Sequence, residues 1–164
     1  MTSAQDQYQS KRRSAAEAVQ AVRDGDFIVV STGVGEPPSL LAALSEQRRQ
    51  WRDVKVGQVL AMRKYAYLDP ETTEHVRHVS FFMGGGTRAG GQAGWVDFLP
   101  NYFSEIPSLI SRGHMACDVL FAMASPMDEE GYLSLSLGTC YSMAAAARAR
   151  AVLLEVNPHV PQTF

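Results

Sequence analysis

Cysteine is nearly absent from this chain. Cys117 and Cys140 are its only two, far apart and outside any Cys-x-x-Cys spacing, which argues against a disulfide framework or a zinc site and is ordinary for a reducing compartment. Long apolar runs are missing as well. No stretch approaches the roughly 18 residues of a membrane span, and the polar start Met1–Arg13 lacks the apolar core of a secretory leader, so a soluble, cytoplasmic protein without a membrane partner is expected. Neither sign of charge is in excess: 15 Lys and Arg against 17 Asp and Glu give a net charge of -2. Lys11-Arg12-Arg13 and Arg48-Arg49 are too short to track a phosphate backbone, and nucleic acid is not an expected partner. No Gly-Lys-Ser or Gly-Lys-Thr occurs, which excludes a Walker-type phosphate loop. Ser125, beside Pro126, lacks the Gly-x-Ser-x-Gly elbow of a serine hydrolase. His75 and His78, three apart, would meet on a helical face and read as solvent-facing; without a third His or Cys nearby, no metal is assigned.

What is present is an ordinary globular composition, 46% hydrophobic and 20% charged over 164 residues, enough for one domain with a real core. Four consecutive β-formers, Phe27–Val30, read as a strand buried on both faces. A capping box, Ser14-Ala15-Ala16-Glu17, opens a short helix before it and Gly25 ends that helix. After the strand come Ser31-Thr32-Gly33-Val34-Gly35-Glu36-Pro37-Pro38 and a helix to about Gln50. Further strands are predicted over Val54–Met62, Val79–Met83, Val119–Ala124 and Val152–Val156, with a short apolar piece at Trp95–Pro100 and period-2 alternation over Tyr132–Leu137. Tyr102–Ile110 reads as a helix shortened or broken by Pro107, and Tyr141–Arg150 as a helix rich in alanine. Strands alternating with helices predict an α/β fold, a single open, mostly parallel sheet with helices on both faces.

In such sheets ligands bind beyond the carboxyl ends of the strands, where backbone N–H groups and helix N-termini converge. The Gly33–Pro38 junction is placed there. It is a poor dinucleotide fingerprint, because Pro38 holds the third glycine position and no acid stands near Met62. A tight structural turn is the plain alternative. Glu36 offers a nucleophile or base, or equally a carboxylate favoured at a helix start. Gly84-Gly85-Gly86-Thr87-Arg88 repeats the strand-to-glycine pattern and offers donors and a cation to an anion.

Several stretches together resemble a known family: Ser14–Asp26, Gly33–Pro38, Thr87-Arg88, Phe98-Leu99-Pro100 with Ser104-Glu105-Ile106-Pro107, Ser125–Tyr132 and Glu155-Val156-Asn157. They look like the amino-terminal half of the acetyl-CoA hydrolases/transferases, a group that includes the 4-hydroxybutyrate and butyrate:acetate CoA-transferases. The resemblance implies two similar α/β domains with the site between them and a glutamate nucleophile in the second, so that no catalytic residue is expected here. Residues 1–157 would be the first domain and 158–164 the start of an interdomain linker. Gly33, Val34, Gly35, Glu36, Pro37, Val59, Met62, Thr87 and Arg88 would bind substrate, the Val59–Met62 stretch lining a short acyl pocket. Coenzyme A is then a substrate, not a tightly held cofactor. The expected partners are an acyl-CoA, a small carboxylate, a second CoA-transferase domain or subunit, and further copies in a homo-oligomer. Phe98, Tyr102, Phe103, Tyr132 and Leu133 are candidates for the face that the second domain covers. A non-catalytic acyl-CoA-binding or subunit-interaction module, or half of an acyl-CoA hydrolase, remains the alternative. Gly35→Val is expected to obstruct ligand more than folding.

Overall fold

A computed structural model describes residues 3–163. Met1, Thr2 and Phe164, the last residue of the expected linker, lie outside them. Six strands, β1 (Phe27–Val30), β2 (Val54–Gln58), β3 (Val76–Ser80), β4 (Val96–Phe98), β5 (Val119–Ala124) and β6 (Ala151–Val156), form one sheet in the order β4-β3-β2-β1-β5-β6. Every pairing is parallel.

The continuous Val/Ile/Leu runs follow from burial on both faces. Ile28, Val30, Val54, Val56, Val119 and Phe121 pack beneath α2 (Ala15–Ala18), the turn after it and α3 (Pro38–Gln47), through Val19, Leu41, Leu44 and Trp51. Val29, Leu120 and Ala122 face the other way, onto Ile106 and Ile110 of α5 (Ile106–Ser111) and onto Tyr141 and Ala145 around α6 (Ser142–Arg148). From β1 the chain winds outward through β2 to β4, then returns to place β5 on the other side of β1. That reversal opens a crevice at the carboxyl ends of β1 and β5.

The expected capping box is present: Ser14 Oγ accepts from the Glu17 amide at 3.3 Å and the Glu17 carboxylate accepts from the Ser14 amide at 2.9 Å. Pro107 sits in the first turn of α5, where its missing N–H is harmless. Other expectations need correction. The second strand stops at Gln58, four residues short of Met62. There the chain turns out of the sheet because the Met62 amide donates to the Glu36 carboxylate at 2.9 Å, not to a neighbouring strand. The third strand is Val76–Ser80, not Val79–Met83. His75 and His78 therefore share no helical face. His78 lies within β3 at 1% exposure, its Nδ1 3.4 Å from the Tyr67 hydroxyl, and His75 Nδ1 is 2.8 Å from the Trp51 carbonyl.

The alternation over Tyr132–Leu137 forms no strand. Asp128 Oδ1 accepts from the Glu130 and Tyr132 amides at 3.0 and 2.7 Å and draws that stretch into a polar loop. Beyond β6 the chain folds back onto this loop, the Gln162 side chain donating to Asp128 at 2.8 Å and the Thr163 amide to Ser134 Oγ at 3.1 Å. An unexpected helix, α1 (Ala4–Lys11), is capped by Ser3 and buries no residue, so no apolar period announces it.

Burial pushes the His78 imidazole down from 6.5 to about 4. The unfolded chain takes up that proton first, so stability is full above pH 6.5 and falls as pH drops through the window to about 4. Linkage puts the loss on the order of 3 kcal/mol. Denaturant unfolding at both ends of the window should show it, and His78→Gln should flatten it; an unchanged slope in that variant would show that other groups carry the effect.

Candidate functional site

The junction after β1 is a single tight turn, Gly33–Gly35, joined to α3 by Glu36 and Pro37. Gly33 has φ +57° with open space where a Cβ would stand. Gly35 is a different case. A Cβ there would lie 2.5 Å from Gly138 Cα, so this glycine lets two backbones touch. The expectation that Gly35→Val obstructs ligand more than folding is corrected accordingly. The same seam is laced by hydroxyls: Ser142 Oγ donates to the Gly138 carbonyl at 2.6 Å, which leaves Ser31 Oγ to donate to Ser142 Oγ at 2.6 Å. Tyr141 donates to the Val30 carbonyl at 2.6 Å and accepts from the Val59 amide at 3.4 Å.

Glu36 is buried, at 5% exposure. Its Oε2 accepts from Gln58 Nε2 and from the Met62 amide, both at 2.9 Å, and its Oε1 accepts from the Tyr65 hydroxyl at 2.9 Å. Gln58 Nε2 also donates to the Ser31 carbonyl at 3.1 Å. Burial, and then donation to Glu36, push the Tyr65 hydroxyl well above its ordinary value, so it stays a donor. Glu36 is not the cap of α3. Glu155 on β6 does that work, accepting from the Ser39 and Leu40 amides at 2.7 and 3.3 Å and from Ser39 Oγ at 2.9 Å.

The other residues singled out in the sequence stand along the same edge of the sheet. Val34 is exposed at the tip of its turn, while Pro37 is buried before α3. The Gly33 amide donates to the Leu60 carbonyl at 3.3 Å and the Gly35 amide to the Thr32 carbonyl at 3.1 Å. Val59 is half-buried against the second core layer, whereas Met62 is exposed. Thr87 is buried with Oγ1 3.4 Å from Ser80 Oγ, and Arg88 is exposed where α4 (Arg88–Ala93) begins, its guanidinium 3.4 Å from the Met83 carbonyl. Gly33–Pro37 and Val59–Met62 are thus joined directly, and Thr87 and Arg88 follow the neighbouring strand. Gln58, Tyr65 and Gly138 are not among the residues expected from sequence. A glutamine inside the apolar run VKVGQVLAM is the one signal that points to any of them.

Exposed large apolar side chains concentrate on this edge. Val34 follows β1, Leu60 and Met62 follow β2, and Phe82 follows β3. Phe98 ends β4 with Tyr102 and Phe103 after it, Tyr132 and Leu137 follow β5, and Met143 lies in the first turn of α6. Among the described residues only Val152 is an exposed large apolar side chain elsewhere. Of the five residues expected to face a second domain, Leu133 alone is half-buried. A cleft of about 820 Å³ also opens between α1 and β6, with Arg12, Arg13 and Glu155 on its walls and Ser39 and Leu40 of the first turn of α3 at its border. Among the described residues no cluster of His, Cys, Asp and Glu converges to hold a metal ion, and no helix is long and apolar enough to cross a membrane.

The profile of the acetyl-CoA hydrolase/transferase N-terminal domain matches residues 1–163. A succinyl-CoA:cyclohexane-1-carboxylate CoA transferase of Geobacter metallireducens is 35% identical over 157 residues, covering 96% of this chain and 36% of that protein. The 4-hydroxybutyrate coenzyme A transferase of Clostridium kluyveri is 32% identical, with 96% and 37% covered. The crystal structure of RipA from Yersinia pestis is similar with a TM-score of 0.88 at 28% identity, over 99% of this chain and 40% of that one. A 4-hydroxybutyrate CoA-transferase from Porphyromonas gingivalis gives 0.81 at 26% identity, over 99% and 37%. This chain therefore spans little more than a third of the length of these curated relatives. With its full-length profile match and its all-parallel sheet, it belongs to the acetyl-CoA hydrolase/transferase family, as the N-terminal domain.

Proposed function

We propose that this domain forms one wall of a CoA-transferase site, holding an acyl-CoA and a small carboxylate while a glutamate from a second domain attacks the thioester. The observation that carries the reading is the band of exposed apolar side chains along the carboxyl edge, from Val34 to Leu137. Such a band on an otherwise well-packed domain marks a surface made to be covered. The relatives are CoA transferases of greater length, which supports a further domain as the covering partner. Residues 1–157 form the domain and 158–164 begin the connection. Coenzyme A enters and leaves as a substrate, and the complete enzyme is a cytoplasmic homo-oligomer.

In the proposed reaction the glutamate carboxylate adds to the thioester carbonyl and expels CoA thiolate, leaving an acyl-glutamyl anhydride. The thiolate then attacks the glutamyl carbonyl, releases the first carboxylate and leaves a glutamyl-CoA thioester, from which the second acid takes CoA by the reverse steps. This chain contributes position and charge stabilisation. Val34 at the tip of the turn offers its amide to the developing oxyanion. Leu60 and Met62 form an apolar wall for a short acyl chain and exclude water, which would divert the anhydride to hydrolysis. Arg88 stands ready for a carboxylate or phosphate.

Titration of the isotope-labelled chain with butyryl-CoA tests this. Amide shifts should concentrate in residues 32–36, 59–63 and 82–88. Shifts confined to the cleft between α1 and β6 would refute the placement.

A further inference from the structure

We infer that Glu36 is a positioning residue, whose buried carboxylate fixes the Leu60–Met62 wall of the acyl site and so sets acyl-chain selectivity without touching substrate. The inference rests on the reading of that edge as the acyl site. Both oxygens of Glu36 are occupied, by Gln58 and the Met62 amide on one and Tyr65 on the other. At 5% exposure little of the residue is left for a ligand. Its donors come from three successive parts of one segment: the last residue of β2, the loop beyond it and the aromatic residue that returns the chain to the core. Leu60 and Met62, both exposed, lie between Gln58 and Tyr65, so the carboxylate closes the base of a loop that carries these two side chains at the surface while Val59 packs on the core.

Geometry also fixes the direction of each bond. Both acceptors of Gln58 Nε2, the Ser31 carbonyl and Glu36, can only accept, so the amide orientation of Gln58 is determined. Its Oε1, buried, has no partner. All of the amide's donor capacity is therefore spent on joining β2 to the β1 junction. Tyr65 is stacked on Tyr67 at 5.9 Å, which in turn stacks on His78 at 6.0 Å, so the far end of the loop is anchored in the core.

A clamp and a catalytic carboxylate respond differently to conservative change. Glu36→Gln keeps one oxygen for Gln58 and the Met62 amide, and the Tyr65 hydroxyl can turn round to accept from the new amide. Glu36→Ala strips the acceptor from all three donors. On the chain itself, the Met62 amide should be slow to exchange in the wild type and in Glu36→Gln and fast in Glu36→Ala. Should the alanine variant fail to fold, Glu36→Asp, whose reach is one methylene shorter, carries the same comparison. In the complete two-domain enzyme, Glu36→Ala should change the ratio of kcat/KM for butyryl-CoA over acetyl-CoA by about tenfold, the scale on which a pocket wall discriminates methylenes. Glu36→Gln should leave that ratio within about threefold of the wild type. A Met62 amide that stays protected in a folded Glu36→Ala or Glu36→Asp chain overturns the clamp. Loss of activity in Glu36→Gln as complete as in Glu36→Ala overturns positioning in favour of a role for the charge. If exchange behaves as expected but the wild-type enzyme moves CoA between no pair of acids, the clamp stands and the transferase reading fails.

Discussion

Incubated alone with acetyl-CoA and butyrate, this chain should exchange no CoA and accumulate no covalent adduct. The reaction needs a carboxylate poised to attack a thioester, and of the five glutamates near the carboxyl edge three are engaged elsewhere and two sit in an exposed loop. Glu36 is buried with three donors on it, and Glu155 caps α3. Glu105 accepts from the Tyr102 amide at 3.2 Å at the start of α5, and Glu129 and Glu130 are exposed in the loop that Asp128 organises. An enzyme that loses a covalent nucleophile typically loses about six orders of magnitude in kcat even when its positioning groups survive. Borohydride reduction after incubation with acetyl-CoA, followed by mass analysis of peptides, reads the result directly. A reduced adduct on any of these five residues would place the nucleophile in this domain.

The second large effect is on stability. Gly35→Val should destabilise the domain by about 3 kcal/mol or more, the upper end for forcing atoms into a packed interior. The added Cβ alone would lie 2.5 Å from Gly138 Cα and 3.2 Å from Gly138 N. Both are backbone atoms of a turn held by Ser142 Oγ on the Gly138 carbonyl and by the Gly138 amide on the Leu135 carbonyl, so they cannot swing aside as a flexible side chain would. Domains of this size have roughly 5–15 kcal/mol in all, so the denaturant midpoint should fall steeply. Gly33→Ala serves as the comparison: its positive φ costs about 1–2 kcal/mol, but the site is otherwise open. A Gly35→Val midpoint equal to the wild type would show that the seam between the two turns yields.

Much of this architecture is legible in the chain because buried parallel strands leave unmixed apolar runs. Phe27–Val30 and Val119–Ala124 are strands with the ends read from sequence, and the Ser14 box starts its helix where the spacing puts it. The errors share a cause. Val59 to Met62 is as apolar as the strand before it, and what removes it from the sheet is a hydrogen bond to Glu36 from a backbone amide, which no side-chain pattern records. Tyr132–Leu137 alternates like a strand, yet Asp128 takes its first amide. His78 misleads through spacing alone: three residues apart suggests one helical face, but in a strand the alternation turns it inward. The candidate site shows the same division. Its location follows from a glycine turn at the carboxyl end of a central strand. Which glycine meets a neighbouring backbone, and which carboxylate meets solvent, depends on Gly138, Gln58 and Tyr65, all distant in sequence from the turn they shape.

If this domain supplies one wall of a site that another domain's glutamate completes, the two parts should work only together. The decisive measurement mixes the purified chain with a separately produced second domain from the same family and follows CoA exchange between acetyl-CoA and butyrate. Neither part alone should exchange CoA, the mixture should, and a borohydride-reduced glutamyl adduct should form only on the added domain. Exchange by this chain alone, or none from a mixture shown by sedimentation to form a complex, would refute the shared site.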